Sequence, residues 1–418
     1  MHEKIKRCRM CGSLDLVPVL NLGEQALTGV FPKSKDEPVT TGILELVKCR
    51  EDKNGENCGL LQLRHSFDLN EMYGDNYGYR SGLNKSMVAH LQGKVKRILE
   101  LVELVPGDLI IDIGSNDSTL LQAYPEKGLT LVGIDPAEKK FKQYYPKHIQ
   151  LIPTFFSAQA FQRSLPGRKA KVITSIAMFY DLPAPLDFVK DISEILAEDG
   201  IWVFEQSYMP TMLEVNAYDT ICHEHLEYYS LKQIKWLTDR AGLKIIDIEH
   251  NLANGGSFSV TVAKEKSSYR ENTALIEGIL EKEKVKGLGT LRPYEEFKKR
   301  VYRHRDELRQ FMDKLKTSGK KILGYGASTK GNVVLQFCGL TTRNISCIGE
   351  VNEDKFGCYT PGTLIPIISE VEAKKMKPDY LFVLPWHFRD NFLKREREYL
   401  SAGGKLIMPL PEIEIIKG

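Results

Sequence analysis

Between Asp219 and Ser230 the chain reads DTICHEHLEYYS, two histidines around a glutamate with two tyrosines after them. Imidazoles titrate near neutrality, so His223, Glu224 and His225 suggest either proton transfer or a metal. The HExxH helical spacing of a zinc site is absent, because the histidines are two apart, and no third ligand is near in sequence. Removing a proton next to a ketone asks for such a base, with hydrogen-bond donors for the oxyanion that forms. Histidine and glutamate can supply the base, and tyrosine or the second histidine the donor. For His223 the competing reading is a residue that caps or packs at a helix start; for Tyr228 and Tyr229 it is core packing.

A second chemistry lies at the head of the chain. Cys8 and Cys11 form a Cys-x2-Cys knuckle followed by Gly, and Cys49 and Cys58 end a second group in CREDKNGENCG. Four thiolates predict a structural zinc site, since they leave no open position for substrate. The wider second spacing requires a loop that folds back. Cys222, Cys338, Cys347 and Cys358 are scattered and read as buried apolar residues.

The third is PGDLIIDIGSNDSTLLQAY. Leu109 to Ile113 predicts a buried parallel strand, Gly114, Ser115, Asn116, Asp117 and Ser118 a turn, and Thr119 to Tyr124 the start of a helix. A second strand ends at Asp135 and Pro136, where a carboxylate can accept hydrogen bonds from ribose hydroxyls. The dinucleotide fingerprint is missing. Acids at Asp112 and Asp117 would repel a pyrophosphate but suit the cationic sulfonium and amino group of S-adenosylmethionine. Further strands end near Ala177 and Met178 and near Glu205, where a doubly wound sheet holds its ligand.

The fourth, KKILGYGASTKGNVVLQF, repeats strand, turn and helix with Gly324 and Gly326, then Ser328, Thr329, Lys330 and Asn332. No acid stands in this turn, so its N–H groups, helix dipole and Lys330 suit the pyrophosphate of a nucleotide sugar. NAD is the rival ligand, with Glu350 and Asn352 at a later strand end to meet a ribose; a domain that only packs is a third reading.

Positioning these groups takes more than one domain. The chain has 418 residues, 42% hydrophobic and 27% charged, as soluble globular enzymes do. Lys+Arg 58 against Asp+Glu 55 is too even to argue for nucleic acid. Basic runs such as FKKRVYRHRDELR alternate with acids and read as a solvated helix face. No apolar run reaches the ~20 residues of a membrane span. The N-terminus lacks the apolar segment of a signal peptide, so a reducing cytoplasm is the expected compartment.

The cysteine head, DIGSNDSTLL, FEQSY, CHEHLEYYSL, NGGSFSV and GYGASTKGN stand in the order seen in bacterial NDP-hexose C-methyltransferases, which this chain resembles over essentially its whole length. The resemblance implies an α/β protein of three units. These are a small zinc-binding domain (1–70), a doubly wound class I S-adenosylmethionine methyltransferase domain (71–268) and a Rossmann-like domain that binds the nucleotide sugar (269–418). It implies methylation of the carbon beside the ketone of a nucleotide-linked 4-keto-deoxysugar, with His225 as base, Glu224 beside it and Tyr77 lining the site. In relatives a tyrosine can stand where this chain has Cys222, and a histidine in the region of Tyr180 and Asp181. Both departures point to a different sugar or acceptor atom. O-methylation of a sugar hydroxyl and NAD-dependent sugar oxidation are the alternatives. The expected partner is a nucleotide-diphosphate sugar, with no nucleic acid and no membrane, and the chain is expected to be a monomer or a weak homo-oligomer.

Overall fold

The computed structural model describes residues 3–52, 54–72, 79–125 and 128–418. Tyr77 lies outside these residues.

After a two-residue strand at Glu3–Lys4, paired with His65–Ser66, come three antiparallel strands, β1 (Leu16–Ala26), β2 (Thr41–Cys49) and β3 (Leu61–Leu63). A fourth strand of this sheet comes from far along the chain. Glu227 and Tyr228, just after the histidine motif, pair with Gln62 and Leu61.

The central sheet is built from β4 (Leu109–Ile113), β5 (Thr130–Ile134), β6 (Ile149–Ile152), β7 (Ala170–Ile176), β8 (Leu196–Ser207), β9 (Leu243–Asn251) and β10 (Ser257–Lys264), in the order β9-β10-β8-β7-β4-β5-β6. β10 runs antiparallel to both its neighbours, while β4 to β8 pair in parallel. All five residues of β4 are buried, as a strand covered on both faces must be. The doubly wound methyltransferase sheet expected from the sequence is therefore present. One local expectation fails. The helix expected from Thr119 is only a 3-10 turn at Leu121–Ala123, and it follows a turn in which Asn116 and Ser118 take left-handed backbone conformations (φ 50° and 61°). A helix N-terminus is thus not aimed at the ligand here, which accords with a cofactor that carries no phosphate.

The C-terminal sheet follows β11 (Ile322–Tyr325), β12 (Ile348–Glu350), β13 (Ile367–Ser369), β14 (Tyr380–Val383), β15 (Lys405–Met408) and β16 (Glu414–Lys417), in the order β13-β12-β11-β14-β15-β16, parallel except for β16. Two helices matter for the site. α1 (Lys85–Leu101) lies against the central sheet with Leu91, Val95 and Ile98 buried. α2 (Arg292–Thr317) buries Phe297, Val301 and Leu308 at helical spacing, in one apolar cluster with Leu44 and Leu46 of the N-terminal sheet and Leu323 of the C-terminal sheet. The first and last units thus share a core, with the middle unit's histidine segment between them.

Candidate active site

One cavity of about 1220 Å³ is lined by the first Gly-rich turn, by Glu224 and His225, and by the second Gly-rich turn. That exceeds the roughly 300–1,000 Å³ usual for one small ligand, so two can be held together.

At the cofactor end Gly114 has φ +71°, and a Cβ there would lie 3.1 Å from Met178 Cγ, so the close approach requires glycine. Asp135 accepts hydrogen bonds from Asn116 N and Ala137 N at 2.8 Å each, which holds the turn against the end of β5. Burial raises its carboxyl above the usual range, opposed by those two bonds. Asp112 is also buried, with Thr174 donating at 2.6 Å, and burial pushes it up to about 7. Ser115, Pro136 and Ala177 line the cavity beside them, Ala177 with φ 53°. Burial alone would raise Glu205. The His90 hydrogen bond and the Lys94 ammonium outweigh it and hold the carboxyl below its ordinary value, so Glu205 is an anion at the cavity wall. Asp117 behaves differently from the expectation. Its carboxylate accepts from Gly82 N at 2.8 Å and Thr119 Oγ1 at 2.5 Å and does not line the cavity. It ties down the 80–84 loop, and Asn116 Oδ1 accepts from Ser81 N in the same seam.

In the histidine segment, His225 N donates to Cys222 O and closes a turn. The turn sends the two histidines apart. His225 lines the cavity, its Nδ1 donating to Thr220 O at 2.7 Å, which leaves Nε2 with the lone pair. Burial and then the charge of Lys330 push its imidazole down to about 3, so the ring is neutral. His223 starts no helix and does not reach the cavity. It packs edge-on against Phe67, ring centroids 4.7 Å apart, and burial pushes it down to about 4. Glu224 reaches the loop between β1 and β2. A Cβ on Gly29 would lie 2.0 Å from its Oε1 and 3.6 Å from Thr329 Oγ1. Burial pushes this carboxyl up to about 7, with the Cys222 thiol donating to it at 3.6 Å.

The second turn also departs from expectation. Gly326 (φ +81°), Ser328, Thr329 and Lys330 line the cavity, but Gly324 and Asn332 do not. Gly324 lies inside β11, where a Cβ would meet Ile348 at 2.7 Å. Asn332 sits in the helix α3 (Thr329–Phe337) and donates to Thr28 O at 2.8 Å, clamping the N-terminal sheet. An acid does reach this turn. Glu350, at the end of β12, accepts from Ala327 N at 2.6 Å and from Val351 N and Asn352 N, much as Asp135 holds the first turn. The Lys330 ammonium donates to Asn254 O at 3.0 Å, toward the histidines.

The four head cysteines bring their sulfurs within 4.8 Å of one another, with Cys8–Cys58 at 3.5 Å and Cys11–Cys49 at 3.6 Å. A tetrahedral zinc with bonds of ~2.3 Å puts its sulfurs ~3.8 Å apart, so the four fit that ion. Gln62 Nε2 donates to Cys8 Sγ at 3.1 Å, and its strand neighbour is Glu227.

Family profiles match residues 8–73 as a zinc binding domain, 87–248 as a methyltransferase domain and 252–411 as a C-methyltransferase C-terminal domain. C-methyltransferase NovU of Streptomyces niveus is 31% identical over 415 residues, 99% of this chain and 97% of that protein. The chain belongs to the C-methyltransferase family. Among solved structures, the YcgJ protein of Bacillus subtilis aligns with a TM-score of 0.33 at 12% identity, over 43% of this chain and 100% of that one. The plantazolicin methyltransferase BpumL, solved with S-adenosylhomocysteine, gives 0.34 at 13%, over 43% and 84%. At these scores neither likeness bears on function.

The C-methyltransferase uses S-adenosylmethionine, and its four-cysteine head holds zinc. Among the described residues no helix is long and apolar enough to cross a membrane. Two features of the site escaped sequence reasoning: Gly29 against Glu224, and His387, which lines the cavity beside Lys330; Glu350, expected at a strand end to meet a ribose, also holds the second turn. Neither of the two carried a local signal.

Proposed function

We propose that this C-methyltransferase acts on the carbon next to the ketone of a nucleotide-linked 4-keto-deoxysugar, through an enolate. The single cavity carries this reading: two nucleotide-type turns open onto it, with a neutral imidazole of fixed tautomer between them. His225 Nε2 takes the α-proton, and Thr220 O keeps the ring oriented as it becomes charged. The Lys330 ammonium lies close enough to depress His225, and its field also favours negative charge developing on the ketone oxygen. Tyr77 stays a candidate phenol from the family resemblance alone. S-adenosylmethionine, over Gly114, Asn116 and Asp135, supplies an electrophilic methyl group.

The nucleotide goes to the C-terminal turn. Backbone N–H groups at Ser328 and Thr329 begin α3 and suit the pyrophosphate, while Glu350 and Asn352 suit the ribose hydroxyls. Lys355 and Arg395 line the same end and add positive charge. Incubation with S-adenosylmethionine and a panel of nucleoside-diphosphate 4-keto sugars, read by product mass, is expected to show one methyl gained on one member. No methylation of any keto sugar, with methylation of a non-sugar acceptor, would overturn the substrate class. His225→Ala is expected to lower kcat by about 10²-fold or more while S-adenosylhomocysteine still binds.

A further inference from the structure

Asp219 and Thr220 stand side by side in one buried turn, Tyr218–Thr220. Thr220 O anchors His225. The Asp219 carboxylate lies beside another histidine. Its Oδ2 lies 3.5 Å from His387 Nε2 and accepts from Trp386 Nε1 at 2.8 Å, and the two side chains are 0% and 4% exposed. His387 is held on both faces. Its ring stacks on Trp386 with centroids 4.0 Å apart, and its Cδ2 edge lies against Gly255, where a Cβ would come within 2.3 Å.

His387 lines the same cavity as His225 and Lys330. Two imidazoles from different units therefore open onto one space, each with one nitrogen facing the same turn: His225 Nδ1 donates to Thr220 O, while His387 Nε2 lies 3.5 Å from the Asp219 carboxylate without closing a hydrogen bond. The two groups they face differ in kind. A carbonyl fixes a tautomer, whereas a carboxyl group lets the ring gain or give up a proton while keeping its orientation. The pair also leaves two polar atoms, Asp219 Oδ1 and His387 Nε2, in the interior without a hydrogen-bond partner among the described residues, which packing alone does not explain.

We propose that His387, oriented by Asp219, is a second acid–base residue of this enzyme, acting at the substrate's carbonyl oxygen while His225 acts at the neighbouring carbon. The assignment rests on the keto-sugar reading above. Burial pushes the Asp219 carboxyl up to about 6, while burial and then the Lys330 charge hold His387 neutral, so the form of the pair that carries an extra proton has it on Asp219 and presents His387 Nδ1–H to the cavity. In the first step the C–H proton goes to His225 Nε2 and its electron pair becomes the C=C bond. The carbonyl π pair moves to oxygen, oxygen takes the His387 Nδ1 proton, and Nε2 takes the proton of Asp219. In the second step the enol proton returns to Nδ1 and the Nε2 proton to Asp219, while the C=C pair takes the methyl and the C–S pair stays on sulfur. One proton remains, on His225.

Proton exchange without methyl transfer isolates the first step. The full-length, zinc-loaded enzyme is incubated in D2O with S-adenosylhomocysteine and the keto sugar it methylates, and loss of the α-proton is followed by NMR. His387→Phe keeps a ring on Trp386 but has no nitrogen; it is expected to slow exchange by about 10²-fold or more with S-adenosylhomocysteine affinity unchanged. Asp219→Asn, which acts through His387, is expected to lower kcat while leaving KM in place. Exchange by His387→Phe at the unmodified rate, with His225→Ala inactive, would overturn the dyad and leave the keto-sugar reading intact. Exchange absent from the unmodified enzyme, with methylation intact, would overturn the keto-sugar reading and the dyad's role with it.

Discussion

With its carboxyl pushed up to about 7 by burial, Glu224 ionises in the folded protein only near neutrality, against an ordinary value of 4.5. Between those values the folded state holds a proton that the unfolded chain has released. The associated stability is full below the unfolded value and is lost as pH rises through about 7. Glu224→Gln removes the dependence. Denaturant melts should show the variant gaining up to about 3 kcal/mol on the parent well above pH 7, and no gain in acid below the unfolded value. An unchanged difference at both ends would mean that Glu224 is solvated. Gly29→Ala tests the same carboxyl from the other side. Its Cβ would displace Oε1, so methyl transfer is expected to fall while S-adenosylhomocysteine binding, measured by calorimetry, stays as it was. The motif itself was plain in sequence, but the split between its histidines was not. An extended segment would put His223 and His225 on one face, and the turn that parts them carries neither Gly nor Pro to announce it.

Among elements, the two-residue strand Glu227–Tyr228 has the largest consequence for its size. It begins two residues after His225, pairs with β3, and Leu63 N donates to Leu226 O at 2.8 Å. Gln62 on β3 in turn donates to the Cys8 thiolate. Metal loss at the head is therefore expected to loosen the base. Chelation of zinc, or Cys49→Ser, should lower kcat more than it weakens S-adenosylhomocysteine binding, with near-ultraviolet circular dichroism reporting the loss of tertiary order in the head. Equal loss of both would show a general collapse. The four cysteines and the strands β4, β5, β7 and β8 were readable because their signals are local: thiol spacing, and apolar runs of four to eight residues. A two-residue strand whose partner lies 165 positions earlier has no such local signal.

At the scale of the whole molecule, the central and C-terminal units line one cavity, and contacts distant in sequence hold all three units together. Gln336 both accepts from Ala26 N and donates to Ala26 O, and Trp386 and His387 reach back to Asp219. The presence of each unit could be read from its own pattern. Their juxtaposition could not, since it depends on partners that only the fold brings together. The same holds for the second turn, which looks neutral in sequence and gains Glu350 from the next strand. The central claim is that the cavity removes a proton from a carbon beside a ketone and replaces it with a methyl group. The most direct test follows a nucleoside-diphosphate 4-keto-deoxysugar carrying deuterium at that carbon, incubated with S-adenosylmethionine and read by mass spectrometry. The account predicts a product that has gained one methyl and lost the deuterium. A methylated product that keeps the label would place the methyl on oxygen and contradict it.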